Sequence, residues 1–426
     1  LAGDASLTHY VPLAPIDGIV GKVVDAMLVG GDATLAVELL PKPSFGSTEA
    51  VAARDAEGDP KPAGAPSAIS ASATSSANAK NSAIAANPTE RPAATRGPGT
   101  APDLAAPPEL TSPSALAEWI ERFRAAGVHA DRSASPDLLG QLNHVLSRKI
   151  DTIICTILDS DVGLRLQAGI AAAHAKEVID GLLLLARITG VKKIIIGVEG
   201  FAAPPWITPL RAAAKPHPIR IVDLPNDYPQ ADPTLMLYTL AGRRFRPRPG
   251  TLPTSQGVLV LDAAAALMIG RARRGEPALA TPLAIHDHLA DRTYFLTVPI
   301  GTVVRDLLAE LRITADPIML RCGDLLRDIQ VPIDAIITGG ELSLHITPPE
   351  LPGNPNPCIR CGWCIDTCPT RVQPATILEA AQRQNQAMAD RAGLHACIEC
   401  GLCSHVCPSK LPLLEAIRGM RFMKAE

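Results

Sequence analysis

The spacing of apolar and polar positions changes several times along the chain, and the changes divide it. Between residues 1 and 42 short apolar runs (Tyr10–Val11, Ile19–Val20, Val23–Val24, Met27–Val29, Leu35–Leu40) are punctuated by Gly18, Gly21, Gly30 and Gly31. Short runs parted by glycine predict strands joined by tight turns, a small β module. From 43 to 113 large apolar residues nearly vanish and Ala, Pro, Ser, Thr, Gly and Asn take over. Such a segment buries too little surface to offset its chain entropy, which predicts a disordered linker.

Periodicity returns at Leu116-Ala-Glu-Trp-Ile-Glu-Arg-Phe123, a helical pattern behind Ser114 as its cap. Asp151–Leu158 then reads as a buried strand, Leu166–Thr189 as one helix ended by Gly190, and Lys193–Val198 as a second buried strand. Arg220–Asp223 and Gly257–Asp262 continue the series, the latter followed by an Ala-rich helix to Arg274. Near-continuous apolar strands alternating with helices predict a parallel α/β, Rossmann-like domain over 114–275. Over 276–350 the pattern mixes: Leu296–Val298, a helix-like Thr302–Leu311, and β runs at Pro317–Leu320 and within Ile329–Ile346 suggest a small α+β module. The remaining 351–426 is a helical, cysteine-rich domain. Pro374 opens a helix there running to Ala389, and Pro412 opens a last one with Leu413, Leu414, Ile417 and Met420 on one face, read as ordinary packing.

A chain of 426 residues is too long for one ordinary domain. Its net charge of −3, without a Lys/Arg run, argues against a nucleic-acid partner, and 3% aromatics argue against a stacking platform for bases. The most apolar stretch, Gly181–Val198, is interrupted by Arg187, Lys192 and Lys193, so no transmembrane span is expected. The chain begins on Leu1 rather than Met, which leaves open what precedes it.

The chemistry is concentrated in the cysteines, eight of the ten lying between Cys358 and Cys407. Cys358-Ile-Arg-Cys361-Gly-Trp-Cys364-Ile-Asp-Thr-Cys368-Pro369 has the form C-x2-C-x2-C-x3-C-P, and Cys397-Ile-Glu-Cys400-Gly-Leu-Cys403-Ser-His-Val-Cys407-Pro408 repeats it. In two-cluster ferredoxins the three close thiolates wrap one [4Fe–4S] cluster and the fourth reaches across to the other. The expected ligand sets are therefore Cys358, Cys361, Cys364 and Cys407 on one cluster, and Cys397, Cys400, Cys403 and Cys368 on the second. Structural zinc is the alternative, but zinc knuckles pair two C-x2-C units and do not ask for the third and fourth cysteines twice. Gly362 and Gly401 let the backbone approach sulfur. Arg360 and Glu399 hold equivalent places and are expected to split the two potentials by tens of millivolts.

Other candidates carry less. Cys155 and Cys322 read as small buried hydrophobes. His405 reads as exposed, because four thiolates already complete its site. His286 and His288, flanking Asp287, have spacing suited to a metal on a strand, but no third ligand is in sight and a solvated loop is expected. Asp159 and Asp161 follow a strand, where α/β ligand sites form or helices are capped.

In its order of parts the chain resembles the RnfC family, a component of the Rnf ion-translocating electron-transport complex, whose relatives include the cobalamin-reducing flavoprotein of propanediol metabolism. Ala14–Val23 is similar to that family's barrel-sandwich hairpin. Lys149–Ile154, Glu177–Leu182 and Gly190–Gly197 resemble its α/β core, with similar words at Leu224–Gln230, Leu240–Arg243 and Gly250–Pro253. Val298–Leu308 looks like its SLBB (β-grasp) module. The resemblance implies a peripheral electron-transfer protein on the inner face of the cell membrane, working with other subunits of a membrane redox complex and with a soluble electron carrier. Active members carry a G-G-A-G-F-P-T loop that cradles FMN or NADH; here Ala126–Pro136 keeps only Gly127 and places Asp131, Arg132 and Ser133 in that space. The N-G-A-E-C-E-P segment becomes Cys155–Asp161, and Y-P-Q-G-G-E becomes Tyr228–Pro233. Backbone cradles for phosphate need glycine, so loss of the FMN and NADH site is expected. Two alternatives stay open: a working NADH:acceptor subunit with a diverged flavin site, and a scaffold with structural clusters.

Overall fold

The computed structural model describes residues 19–27, 33–40, 115–132, 134–161, 163–200, 207–246, 251–314, 317–324, 326–340, 342–349 and 354–422. The expected linker over 43–113, the Ser114 cap and Ser133 lie outside them, as does Tyr10–Val11. Near the start, β1 (Ile19–Met27) pairs antiparallel with β2 (Ala33–Leu40).

The largest core surrounds a four-stranded, all-parallel sheet. Helices α1 (Ala115–Ala125) and α2 (Leu138–Ser147) precede β3 (Thr152–Thr156). There follow α3 (Leu166–Ala173), α4 (Ala175–Thr189), β4 (Lys193–Glu199), α5 (Ile207–Ala214), β5 (Ile219–Leu224), α6 (Pro233–Ala241), β6 (Val258–Asp262) and α7 (Ala263–Arg273). The strand order is β5-β4-β3-β6. β3 and β6 are buried along their whole length, as strands covered on both faces must be. The single helix expected over Leu166–Thr189 is two, because His174 leaves the helical region (φ −122°, ψ 33°). α4 and α7 cross at van der Waals contact: a Cβ on Gly181 would lie 2.1 Å from the Ala266 carbonyl oxygen, and one on Gly270 2.1 Å from that of Glu177. Two mid-helix glycines, unfavourable for the helices themselves, are explained by this crossing.

A five-stranded mixed sheet follows. β7 (Ala280–Asp287) and β8 (Arg292–Pro299) form a hairpin, then come α8 (Val304–Glu310), β9 (Met319–Cys322), β10 (Ile329–Val331) and β11 (Ser343–Thr347). The order is β10-β9-β11-β7-β8, with β11 parallel to β7 and the other pairs antiparallel. Leu283, Ile285, Val298, Leu307, Leu320, Leu344 and Ile346 build its core against α8.

The cysteine-rich end is helical: α9 (Trp363–Asp366), α10 (Pro374–Gln382), α11 (Gln386–Arg391), α12 (Leu402–His405) and α13 (Leu413–Phe422). The helix expected from Pro374 to Ala389 breaks at Gln384 (φ 50°), and Asn385 caps α11 by accepting from the Met388 amide. Leu413, Ile417 and Met420 face inward onto α10, as expected of ordinary packing. Among the described residues no helix is long and apolar enough to cross a membrane.

Candidate functional site: two cysteine loops and a closed sheet edge

The two motifs fold alike. Arg360 and Glu399 have φ of 56° and 55°, Gly362 and Gly401 86° and 77°, Arg371 and Lys410 56° and 51°. Four non-glycine residues in left-handed backbone cost on the order of 1–2 kcal/mol each, so the loops hold a shape that their local sequence opposes.

Their surroundings differ. Cys368, Cys397, Cys400 and Cys403 are all buried, and all four line one pocket together with Thr370, Val372, Gly401 and Leu414. Burial pushes the Cys397 thiol up to about 12, with Cys400 and Cys368 adding to it against the Glu399 amide and Arg421. It pushes Cys403 up to about 12 as well, with Cys397, Cys400 and Cys368 adding. Cys368, from the first motif, thus stands among the three close cysteines of the second. Four soft donors around one enclosed space, none in a disulfide, suit a cationic iron–sulfur core that would hold them as thiolates. Among the described residues no three His, Cys, Asp or Glu side chains close on a single metal ion; a cubane binds each thiolate to a different iron and asks for a wider cage.

The other loop is open. Cys358 and Cys361 are exposed and Cys364 half-buried, and Ile359, Trp363 and Ile365 show 67%, 57% and 37% of their surface. Burial raises the Cys364 thiol, and Cys361 and Cys358 add to that rise. The segment just after Cys407 is tied to the entry of this loop: Asn356 N–H donates to Ser409 O (2.9 Å) and Ser409 Oγ to Pro357 O (3.0 Å).

The buried loop is clamped to the rest of the chain by residues that carry no motif. Tyr228 Oη donates to Cys400 O at 2.5 Å. Arg327, 8% exposed, pairs with Asp324 and lies 3.6 Å from Asp232, its guanidinium over the Tyr228 ring. A Cβ on Gly401 would meet Leu326 O at 1.8 Å. Glu399 is not the free negative charge its position suggested: Arg418 Nε (3.1 Å) and Arg421 Nη1 (2.5 Å) both bind it, and Arg421 also donates to Cys397 O. Two guanidiniums outweigh one carboxylate, so the local balance is positive.

At the C-terminal edge of the parallel sheet, the strand order reverses between β3 and β6, the place where such sheets bind ligands. Here the edge is filled. Arg132 forms a bidentate pair with Asp262, Nε to Oδ2 at 2.6 Å and Nη2 to Oδ1 at 2.7 Å, and Asp262 is wholly buried. Gln167 Nε2 donates to the same carboxylate (3.0 Å), while its Oε1 accepts from Ala264 N–H. Asp159 accepts from the Gln167 amide and so caps α3, its carboxyl pushed well up by burial. Asp131 turns to the surface instead of standing in the edge, and accepts from the Asp137 amide.

Of the remaining candidates, Cys155 and Cys322 are buried and His405 is exposed. The solvated loop expected for His286 and His288 is corrected: His286 lies on β7, both are half-buried, and His345 of β11 supplies the third imidazole that the sequence did not reveal.

Residues 140–271 match the Nuo51 FMN-binding domain and residues 357–412 the 4Fe-4S dicluster domain. The RnfC protein of the ion-translocating oxidoreductase complex of Rhodobacter capsulatus is 30% identical over 303 residues, 69% of this chain and 57% of that protein. Its counterpart of the same name from Pseudomonas aeruginosa is 27% identical over 60% of this chain and 33% of its own length. Cobalamin reductase PduS of Citrobacter freundii is 28% identical over 63% of this chain and 62% of its own. The chain thus spans less than two thirds of each of these relatives. The dicluster match carries two [4Fe–4S] clusters with it.

Proposed function

We propose that this chain, which belongs to the RnfC family of ion-translocating oxidoreductase proteins, is a one-electron relay subunit of an Rnf-type membrane redox complex and does no NADH chemistry of its own. The observation that carries the reading is the unequal pair of cysteine loops, one enclosed against the chain's own sheets and one open at the surface. Cys397, Cys400, Cys403 and Cys368 are the ligands of the enclosed cluster, and Cys358, Cys361, Cys364 and Cys407 those of the open one. When bound, each cluster takes up and gives back one electron. The enclosed set keeps water from its sulfurs, Tyr228 and the Glu399–Arg418–Arg421 network fix its loop, and the open set offers its edge to a partner. Partners are the other subunits of the complex, with a soluble carrier on one side, and the place is peripheral on the inner face of the membrane.

The finer architecture belongs to the same reading. The β1–β2 hairpin within 1–42 is barrel-sandwich-like, the mixed sheet within 276–350 is an SLBB-like β-grasp, 114–275 is the Rossmann-like unit, 351–426 the ferredoxin unit, and 43–113 a linker. The match to an FMN-binding domain favours a second reading, a subunit that still holds FMN. One experiment separates them. Protein prepared anaerobically is incubated with FMN, desalted, and assayed with NADH and a dye. The relay predicts about eight irons per chain, no retained flavin, no NADH-driven dye reduction, and clusters bleached reversibly by dithionite. Stoichiometric flavin with rapid dye reduction would establish the second reading instead, and zinc without labile sulfide would sink both.

A further inference from the structure

Three imidazoles on one face of the mixed sheet take no part in the cluster loops or the closed edge. His286 lies in β7 and His288 one residue beyond its end, where the His288 N–H still donates to Ile346 O of β11 (3.0 Å), so the alternation carries on and both fall on the same face. That face is opposite to Leu283 and Ile285, which enter the sheet's own core. β11 runs alongside in parallel with His345 in register with His286, which places the third ring on that face too. Ring centroids are 4.0 Å apart for His286 and His288, 5.3 Å for His288 and His345, and 6.2 Å for His286 and His345.

His345 is 1% exposed. Its Nδ1 lies 3.1 Å from His288 Nε2. Its Nε2 is buried and stands 3.2 Å from Asp161 Oδ2 of the loop after β3. The nearest cation in register, Arg321, is committed to Asp328 by bonds of 2.5 and 2.7 Å.

We propose that His286, His288 and His345 form a binding site for one divalent transition-metal ion, zinc by preference. The donor set argues for the class of ion. Imidazoles without thiolate suit Zn²⁺, Cu²⁺ or Ni²⁺, whereas Ca²⁺ and Mg²⁺ ask for oxygen. The framework argues for the site: one histidine at the end of β7, one just beyond it and one from neighbouring β11 bring three imidazoles to one face, and three protein ligands leave a fourth position for water. Nitrogens bound to one zinc at about 2.1 Å stand roughly 3.4 Å apart in a tetrahedron, close to the separation of His288 and His345 here. Asp161 is then the positioning residue, its carboxylate fixing the tautomer and tilt of His345 from the far side of the ring, as carboxylates do behind metal-bound imidazoles. In the metal-free arrangement no three donors converge on one point, and His286 Nδ1 lies 2.7 Å from Thr293 Oγ1. Binding turns that half-buried ring away from Thr293 while buried His345 stays fixed.

The test uses untagged, cluster-loaded protein under anaerobic conditions. It is equilibrated with Zn²⁺, washed free of loose metal, and read by elemental analysis and zinc K-edge absorption. The expected result is about one zinc per chain in a shell of nitrogen and oxygen only, with iron content unchanged. His288→Gln and, independently, His286→Gln should abolish the uptake without loss of iron, and Asp161→Asn should weaken it 10- to 100-fold. No uptake, uptake undiminished in both histidine variants, or sulfur in the zinc shell would overturn the proposal, the last because it would place the zinc on the cluster cysteines.

Discussion

Gly362 and Gly401 occupy the same place in the two cysteine motifs, with φ of 86° and 77°, yet their surroundings are opposite. Nothing lies within 4 Å of a Cβ built on Gly362, whereas one on Gly401 would stand 1.8 Å from the Leu326 carbonyl oxygen and 2.7 Å from its carbon. Gly362→Ala therefore costs the left-handed penalty alone, about 1–2 kcal/mol. Gly401→Ala costs that and a backbone collision that no rotamer relieves; overpacking of this kind adds about 1–3 kcal/mol. The obstacle is main chain between β9 and β10, so relief requires the enclosed loop to move off the mixed sheet and strains the Tyr228–Cys400 bond. Anaerobic thermal melts of the reconstituted variants measure the difference, at roughly 2–4 °C per kcal/mol for a unit of this size. Gly401→Ala should melt several degrees below Gly362→Ala and lose the signal of the enclosed cluster first. Equal melting of the two variants would refute the argument that the enclosed loop is fixed by close backbone contact.

Other outcomes follow from the same geometry. Cys368→Ser should damage the cluster of Cys397, Cys400 and Cys403 more than that of its own loop, with EPR of the two reduced signals as the readout; equal damage would mean that each loop ligates only its own cluster. Arg360→Glu should lower the potential of the open cluster, and Glu399→Gln, by freeing Arg418 and Arg421, should raise that of the enclosed one, each by tens of millivolts after solvent screening. A redox titration in which neither moves, or either moves the other way, would remove charge tuning from the account. Gly181→Ala and Gly270→Ala should each destabilise by about 1–3 kcal/mol, since each added methyl meets a backbone carbonyl of the other helix; a denaturant midpoint unchanged in either would show that α4 and α7 slide apart at little cost.

Most of the parallel sheet was legible because a strand covered on both faces must be apolar throughout: Thr152–Thr156 and Val258–Asp262 have no other reading. The cysteine motifs were legible for the same reason of strictness, spacing being the chemistry. The break at His174 was not, since the residues on either side are equally helical. β7 was missed because Leu283 and Ile285 alternate with Ala284 and His286, a weak period that begins at Ala280-Thr-Pro. The third imidazole was invisible because His345 meets His288 across 57 residues of sequence, through strand pairing alone. Glu399 was misjudged likewise: α13 returns Arg418 and Arg421 to it, and no local pattern announces that return.

The closed edge of the parallel sheet sets a cost on any phosphate that would enter it. A phosphate arriving between β3 and β6 would compete with Asp262 for Arg132, and Asp262 is wholly buried. Winning that competition strands a buried carboxylate with only Gln167 and the Ala265 amide for partners. Removing one member of a buried pair costs about 3–5 kcal/mol, which lowers affinity by roughly two to four orders of magnitude. Replacing Arg132 does not reopen the site, because it leaves the same carboxylate exposed to the incoming phosphate. The neighbouring segment is equally committed: Tyr228 is spent on Cys400, and Asp232 caps α6 and faces Arg327. Arg132 and Asp262 thus close the edge, while Tyr228 and Asp232 stand beside the enclosed cysteine loop, so a ligand that displaced the latter two would loosen that loop.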